Sequence, residues 1–395
     1  MRDVTPVILS ACRTPIGRYL GGLSGQSAVA LGVVAARAVL DRAGVEPARV
    51  DEAIVGNVLS AGLGQAPARQ VALGAGMPST AGALTINMVC GSGLRAVMLA
   101  SAAIRAGDAT LVLAGGIESM SNAPHLLQGG RTGWKAGDRS LVDSMLHDGL
   151  TCAIEGWPMG HAAERTAEQC GLTRSDLDAC ALESQRRAAA AQTSGAFRAE
   201  IVPVPVAGKK GTTSSIDADE GPRAGTTLEA LGALAPAFRP DGVVTAGNAS
   251  TLSDGAAMVV VADEALARDL GARPMARIVA SAISGLDPRD LFLAPIGAIR
   301  KVLAQAGLAA DEIDLYEINE AFASQLLGCV RVLELDPAKV NVHGGAIALG
   351  HPIGASGARV LVTLLHALQR HEKRIGVAAL CLGGGNAVAL MVERL

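Results

Sequence analysis

The chain has 395 residues, 50% of them hydrophobic, which is long enough for two or three domains and apolar enough to bury large cores. With only four Phe, two Trp and two Tyr, those cores must be built from Ala, Val, Leu and Ile, and the 48 glycines imply many tight turns and close backbone contacts. A net charge of −3 without any run of Lys or Arg argues against a nucleic-acid partner; seven scattered cysteines do not form a disulfide framework, and no signal core or membrane span is legible, so a reducing cytoplasm is the expected setting.

In chain order, Pro6 to Cys12 reads as a short apolar strand, Ser27 to Ala43 as an amphipathic helix stopped by Gly44, and Ala53 to Val58 as a second strand. The stretch Asn87-Met88-Val89-Cys90-Gly91-Ser92-Gly93 follows, a thiol succeeded by small residues that let the chain turn into a helix. Leu94, Val97, Met98 and Ile104 fall near helical spacing, Gly107 supplies a stop, and Leu111 to Ala114 is the next strand, ending in Gly115-Gly116-Ile117-Glu118-Ser119-Met120. Cys90 is thereby expected at a helix start, where the amino terminus favours the reactive thiolate.

Residues 122–249 have another character: Gly- and Pro-rich turns, both tryptophans, and a helix from Thr173 to Ala191 opened by the capping pattern Thr173-Arg174-Ser175-Asp176. They also hold a charged loop running from Lys209-Lys210-Gly211 to Asp217-Ala218-Asp219-Glu220, and the whole segment reads as an insertion. Residues 250–273 return to the first half, residues 1–121, and residues 274–395 form a second half.

The two halves repeat. Arg37-Ala38-Val39-Leu40-Asp41-Arg42-Ala43-Gly44-Val45 matches Arg300-Lys301-Val302-Leu303-Ala304-Gln305-Ala306-Gly307-Leu308. Val50-Asp51 matches Ile313-Asp314 in the same register, and Ser92-Gly93-Leu94-Arg95 matches Ser356-Gly357-Ala358-Arg359 after a slip of one. Three matches in order indicate a duplicated α/β domain whose alternating strands and helices favour parallel or mixed sheets covered by helices.

The second half carries its polar groups among glycines. Asn319-Glu320-Ala321-Phe322 follows a strand-like Ile313 to Ile318, the run from Asn341 through His343 reaches His351-Pro352 ahead of Gly354 and Ser356-Gly357, and Cys381-Leu382-Gly383-Gly384-Gly385 ends a strand. Flanking glycines admit a ligand close to main-chain N–H groups, as an oxyanion site requires. Two cysteines and a histidine can divide the labour of acyl transfer, one thiolate attacking, the imidazole accepting its proton and the other thiol shuttling a proton. A metal site would draw on Cys90, Cys381, His351 and His343, but no CxxC or HxxxH pair gives it a recognisable spacing.

Taken in their joint order, these motifs, with Asn248-Ala249-Ser250 leading to Asp254-Gly255-Ala256-Ala257, resemble the thiolase family over essentially the whole chain. The resemblance implies a duplicated five-layered α/β/α/β/α fold with an inserted loop domain over coenzyme A. It implies no permanently bound cofactor, acyl-CoA as substrate, and a homodimer or homotetramer, with Lys209 to Thr213 lying where tetrameric relatives place an assembly loop. The implied chemistry is a two-step Claisen exchange in which Cys90 carries the acyl group, His351 activates Cys90 and Cys381 handles the α-carbon proton. His351 and a water held by Asn319 would form one oxyanion site, the N–H groups of Cys90 and Gly383 another. Leu150, Met159, Phe238, Ala249, Ser250, Ala321 and Phe322 would line the pantetheine and acyl tunnel, with Arg223 near the adenine.

Departures bear on the substrate. Pro158 precedes Met159-Gly160 where short-chain biosynthetic members often have histidine, Leu291-Phe292-Leu293-Ala294-Pro295 replaces a common Met-Gly-x-Gly-Pro of the acyl pocket, His343 stands where Asn is frequent and Ala387 where many carry glycine. The expected substrate is a short- to medium-chain 3-ketoacyl-CoA. Two alternatives stand beside this reading: a decarboxylating 3-ketoacyl synthase, which pairs one Cys with two His or with His and Asn and against which Cys381 argues, and a non-catalytic CoA-binding protein of the same fold.

Overall fold

The computed structural model describes residues 4–208 and 212–395. Its first half runs β1 (Pro6–Arg13), α1 (Ala28–Ala43), β2 (Glu52–Gly56), α2 (Pro67–Gly74), β3 (Gly82–Ile86), α3 (Ser92–Ala106) and β4 (Leu111–Ser119). After α4 (Met159–Gln169) and α5 (Arg174–Thr193) the chain returns as β5 (Ser253–Asp263). The second half runs β6 (Ala276–Gly285), α6 (Ala294–Ala306), β7 (Leu315–Ile318), α7 (Ala323–Val332), α8 (Ile353–Arg370), β8 (Ile375–Leu382) and β9 (Asn386–Arg394).

Sheet order makes the duplication explicit. The strands lie β7-β8-β9-β6-β1-β5-β4-β2-β3, with Gly17–Arg18 paired to β5. Reading outward from the β1/β6 junction, each half gives two antiparallel pairs and then a parallel one: β1-β5-β4-β2 and β6-β9-β8-β7. β3 then adds in parallel to β2, and its counterpart shrinks to a single parallel bridge, Tyr316 to Val340. Among the described residues, strand pairing between the halves runs through Val7 with Arg277 and Ile8 with Ala276.

Helices fill both faces. α1 packs on β1, β4 and β5, α6 packs on β6, β8 and β9, and α3 and α8 lie between the halves, touching each other and strands of both, which gives five layers. α8 is buried along nearly all its length, including the polar stripe of Ser356, Arg359 and Thr363, and so has almost no solvent face. The segment Val89–Ala106 is likewise long and apolar enough by composition to cross a membrane, but here it is the interior helix α3. The repeated Arg-Val-Leu-Ala-Gly segments end α1 and α6 alike: Gly44 and Gly307 both take left-handed conformations (φ 62° and 67°) and donate to carbonyls three and four residues back.

Between β4 and β5, α5 opens with the capping box read from Thr173 and Asp176. Lys209, Lys210 and Gly211, the core of the suggested assembly loop, lie outside the described residues.

Candidate active site

Cys90 sits between edge strand β3 and interior helix α3, in a turn where Val89 takes φ +47°. That conformation is strained for a β-branched residue, so the surroundings must hold it. Asn87 Oδ1 accepts from the Val89 N–H at 2.9 Å, and the Ser92 hydroxyl accepts from the Met88 N–H at 2.8 Å while donating to the Val89 carbonyl at 2.6 Å. Gly91 has no room for a side chain, since a Cβ there would stand 2.1 Å from Leu382 Cδ2.

The thiol's electrostatics reverse the expectation from the sequence. α3 begins two residues beyond Cys90, and burial pushes the thiol up to about 12, with the negative charge of Glu118 adding to the rise. The Cys90 and Gly383 backbone N–H groups oppose this by hydrogen bonding to the sulfur. Resting Cys90 is therefore a thiol and requires a base.

A candidate base, His351, stands on the loop before α8. His351 Nδ1 lies 2.6 Å from Ser356 Oγ, which donates its own proton to the Pro352 carbonyl at 2.9 Å. The hydroxyl can then only accept from the ring, so Nδ1 carries the proton and Nε2 presents a lone pair. Burial, helped by the positive charge of Arg359, holds His351 down at about 3, so the ring is neutral. Asn319 Nδ2 lies 3.4 Å from His351 Nε2, and Cys381, near the end of β8, is held well above the usual thiol range by burial and by the thiols of Cys90 and Cys329.

One apolar cavity of about 310 Å³ gathers Cys90, His351, Cys381 and Gly383, walled by Leu150, Met159, Phe238, Ala249, Ser250, Ala321 and Phe322. Asn319 lies fully buried beside His351 rather than in the cavity wall. Arg223 lines an adjoining groove of about 720 Å³ that shares Phe238, Ala249 and Ser250 with the inner chamber. The arrangement is a narrow reactive chamber opening into a wider, more polar trough. Among the substrate-related departures, Leu291 and Phe292 line the inner chamber, with the Phe292 ring 5.3 Å from that of Phe322, and Pro158 lines it as well.

Sequence reading missed three buried groups around the chamber. Ser356 fixes the His351 tautomer, Arg359 contacts Asn319, and Glu118 accepts the N–H groups of Val58, Leu59 and Gly354 and the amide of Asn57, tying the first half to the start of α8. Arg359 was visible only as a repeat of Arg95, Ser356 as a repeat of Ser92 and a neighbour of the His351-Pro352 run, and Glu118 as one residue of a glycine-rich motif. Among the described residues, no group of three or more His, Cys, Asp or Glu is arranged to hold a metal ion.

Comparison with known proteins bears on this geometry. The family model for the thiolase N-terminal domain matches residues 6–265, and that for the thiolase C-terminal domain matches residues 272–394. The acetyl-CoA acetyltransferase of Pseudomonas aeruginosa is 52% identical over 394 residues, covering 100% of both chains, and that of Escherichia coli is 52% identical over 390 residues, covering 98% of this chain and 99% of its own. The crystal structure of the Bacillus anthracis acetyl-CoA acetyltransferase superposes with a TM-score of 0.97 at 42% identity, over 99% of each chain.

Proposed function

The chain belongs to the thiolase family, and from that premise we propose that it is an acyl-CoA:acetyl-CoA C-acyltransferase, joining two acetyl-CoA molecules or cleaving short- to medium-chain 3-ketoacyl-CoA. The observation that carries the reading is the single chamber in which two cysteines and a neutral, buried histidine meet under the Gly383 N–H.

In cleavage, His351 Nε2 takes the Cys90 proton as the sulfur attacks the keto carbon. The bond between that carbon and the α-carbon breaks, its electron pair stays with the departing acetyl-CoA as an enolate, and Cys381 donates a proton to the α-carbon. CoA thiol then gives its proton to the Cys381 thiolate and attacks the acyl group on Cys90, the Cys90 sulfur–acyl bond breaks to release the shortened acyl-CoA, and the Cys90 sulfur takes back the proton held by His351. Condensation is the reverse. N–H donors from Cys90 and Gly383 suit the oxygen of the tetrahedral intermediate, and His351 with a water held by Asn319 suits the enolate oxygen. A single such donor is typically worth about 3 kcal/mol.

In the same reading, residues 122–249 form the loop domain over coenzyme A, set between a first half of 1–121 with 250–273 and a second half of 274–395, and Arg223 serves the adenine end. The seven cysteines, all free, suit a cytoplasmic protein. Exposed Leu127, Trp134 and Leu141 suit assembly into a homodimer or homotetramer.

The test is CoA-dependent cleavage of 3-ketoacyl-CoA esters of rising length, with mass spectrometry of the protein after acetyl-CoA. Wild type should cleave acetoacetyl-CoA and carry an acetyl group on Cys90. Cys90→Ala should carry none, and Cys381→Ala should acetylate yet exchange little carbon. An active-site adduct that persists on Cys90→Ala defeats the assignment. Turnover of a malonyl thioester in place of cleavage supports the decarboxylating reading instead.

A further inference from the structure

Behind His351 lie two buried charged residues that the proposed steps do not use, Arg359 and Glu317. Arg359, 1% exposed on interior helix α8, reaches Glu317 in β7 and Asn319 just beyond its end: Nη2 donates to Asn319 Oδ1 at 3.4 Å and Nη1 to Glu317 Oε2 at 3.5 Å. Glu317 and Asn319 are themselves fully buried. Burying a guanidinium is costly and stabilises a fold poorly in comparison with apolar packing, so its presence beside the reactive chamber calls for another account.

The amide of Asn319 supplies one. An Asn side chain has an accepting and a donating end, and the two are close in shape. With a guanidinium against one end, only the carbonyl oxygen can face it, because the flipped amide would set its NH₂ against a second donor. The donating end is thereby forced toward His351, where Nδ2 lies 3.4 Å from Nε2. Without the cation, the amide is free to turn its oxygen to the chamber and present an acceptor where developing negative charge needs a donor. The positive charge also disfavours protonation of His351.

We infer that Arg359, steadied by Glu317, is a positioning residue that holds the Asn319 amide in its donating orientation toward His351. The inference rests on the acyltransferase reading above. Its geometry also explains why Arg359 sits in the Ser-Gly-x-Arg repeat: one turn of α8 supplies both the hydroxyl that orients His351 and the cation that orients Asn319.

A double-mutant cycle tests it. Arg359→Met keeps the stem and removes the donors, Arg359→Lys keeps the charge but not the fork, and each is made alone and with Asn319→Ala. For acetoacetyl-CoA cleavage, Arg359→Met should lower kcat between about 100- and 1,000-fold, the scale of a lost oxyanion donor, with the KM for CoA unchanged. Arg359→Lys should fall between it and wild type. Once Asn319 is alanine there is no amide to orient, so adding either Arg359 change should cost no more than about twofold. Full kcat in Arg359→Met, or losses that multiply in the double variants, overturns the positioning role while leaving the acyltransferase reading intact. Should Arg359→Met fail to fold, the Arg359→Lys pair decides by the same comparison. A folded wild type that cleaves no ester overturns the parent reading and this role with it.

Discussion

His351 Nδ1 is 2.6 Å from the Ser356 hydroxyl, and this one contact decides which ring nitrogen faces the reactive chamber. Because the hydroxyl proton is engaged by the Pro352 carbonyl, the ring must donate through Nδ1 and leave Nε2 unprotonated. Ser356→Ala leaves the buried Nδ1–H without that acceptor and lets both tautomers populate. The expected result is a 10- to 100-fold fall in kcat, roughly the cost of losing an orienting hydrogen bond behind a catalytic imidazole, with slower acetylation of Cys90 by acetyl-CoA. Wild-type kcat in a well-folded Ser356→Ala protein would show that the tautomer is set elsewhere.

The same serine shows how far the sequence could be read. The pairing of Ser92-Gly93-Leu94-Arg95 with Ser356-Gly357-Ala358-Arg359 identified the duplication, because helix ends and small residues repeat at fixed offsets in one dimension. What each serine does was not legible: Ser92 braces the backbone of the Cys90 turn, whereas Ser356 engages a side chain five residues upstream, a difference that arises only when the preceding loop is folded. Strand order could not be read for a similar reason, since the β1/β6 junction joins residues about 270 apart along the chain through two residue pairs. Cys90 stood out in the sequence as a candidate nucleophile, but the helix-start argument left out the desolvation that raises its thiol, because that depends on what the second half lays over it. The tunnel residues Leu150, Met159 and Phe238 were named through resemblance alone; nothing in their own spacing marks them, and they meet only at the chamber wall.

Where α3 and α8 cross, two glycines of the repeat face each other's helix. A Cβ on Gly357 would stand 2.3 Å from the Leu94 nitrogen, and one on Gly93 would stand 2.6 Å from the Ala358 nitrogen. Both obstacles are backbone, which cannot swing aside as a flexible side chain can. Gly357→Ala should therefore lose roughly 3 kcal/mol or more through overpacking in the interior layer. Gly44→Ala should lose about 1 kcal/mol, because Gly44 has open space around it and suffers only from its φ of +62°. Urea unfolding of the two variants distinguishes these sites, and equal losses would mean the helices can part without cost.

Phe292 packs on Phe322, which in turn meets Phe238 at 6.1 Å, so three rings close one side of the chamber. Phe292 is 2% exposed, and truncation to alanine removes a whole ring from the wall of the chamber that Cys90 also lines. Phe292→Ala should raise kcat/KM for longer 3-ketoacyl-CoA esters relative to acetoacetyl-CoA, while lowering stability by about 3 to 5 kcal/mol. The measurement is the chain-length profile of both proteins alongside thermal melts. An unchanged profile in a destabilised protein would make Phe292 a packing residue with no part in substrate choice.

His343 permits a prediction about pH that leaves the catalytic groups untouched. It is 6% exposed, its Nε2 is 3.1 Å from that of His371, and the Phe197 ring packs edge-on at 5.9 Å. Burial pushes its imidazolium down to about 4, and the positive charges of His371 and Arg370 push the same way. An unfolded histidine titrates near 6.5, so between about pH 6.5 and 4 the unfolded chain binds a proton that the folded one refuses. The stability associated with neutral His343 is therefore complete above pH 6.5 and lost as pH falls toward 4. His343→Asn removes the titration but leaves a polar side chain. Wild type should thus lose up to about 2 kcal/mol more than His343→Asn between pH 7 and 5, read as a difference of two urea-unfolding curves at each pH. Parallel pH dependences would mean that the two imidazoles share a proton and that His343 is charged in the fold.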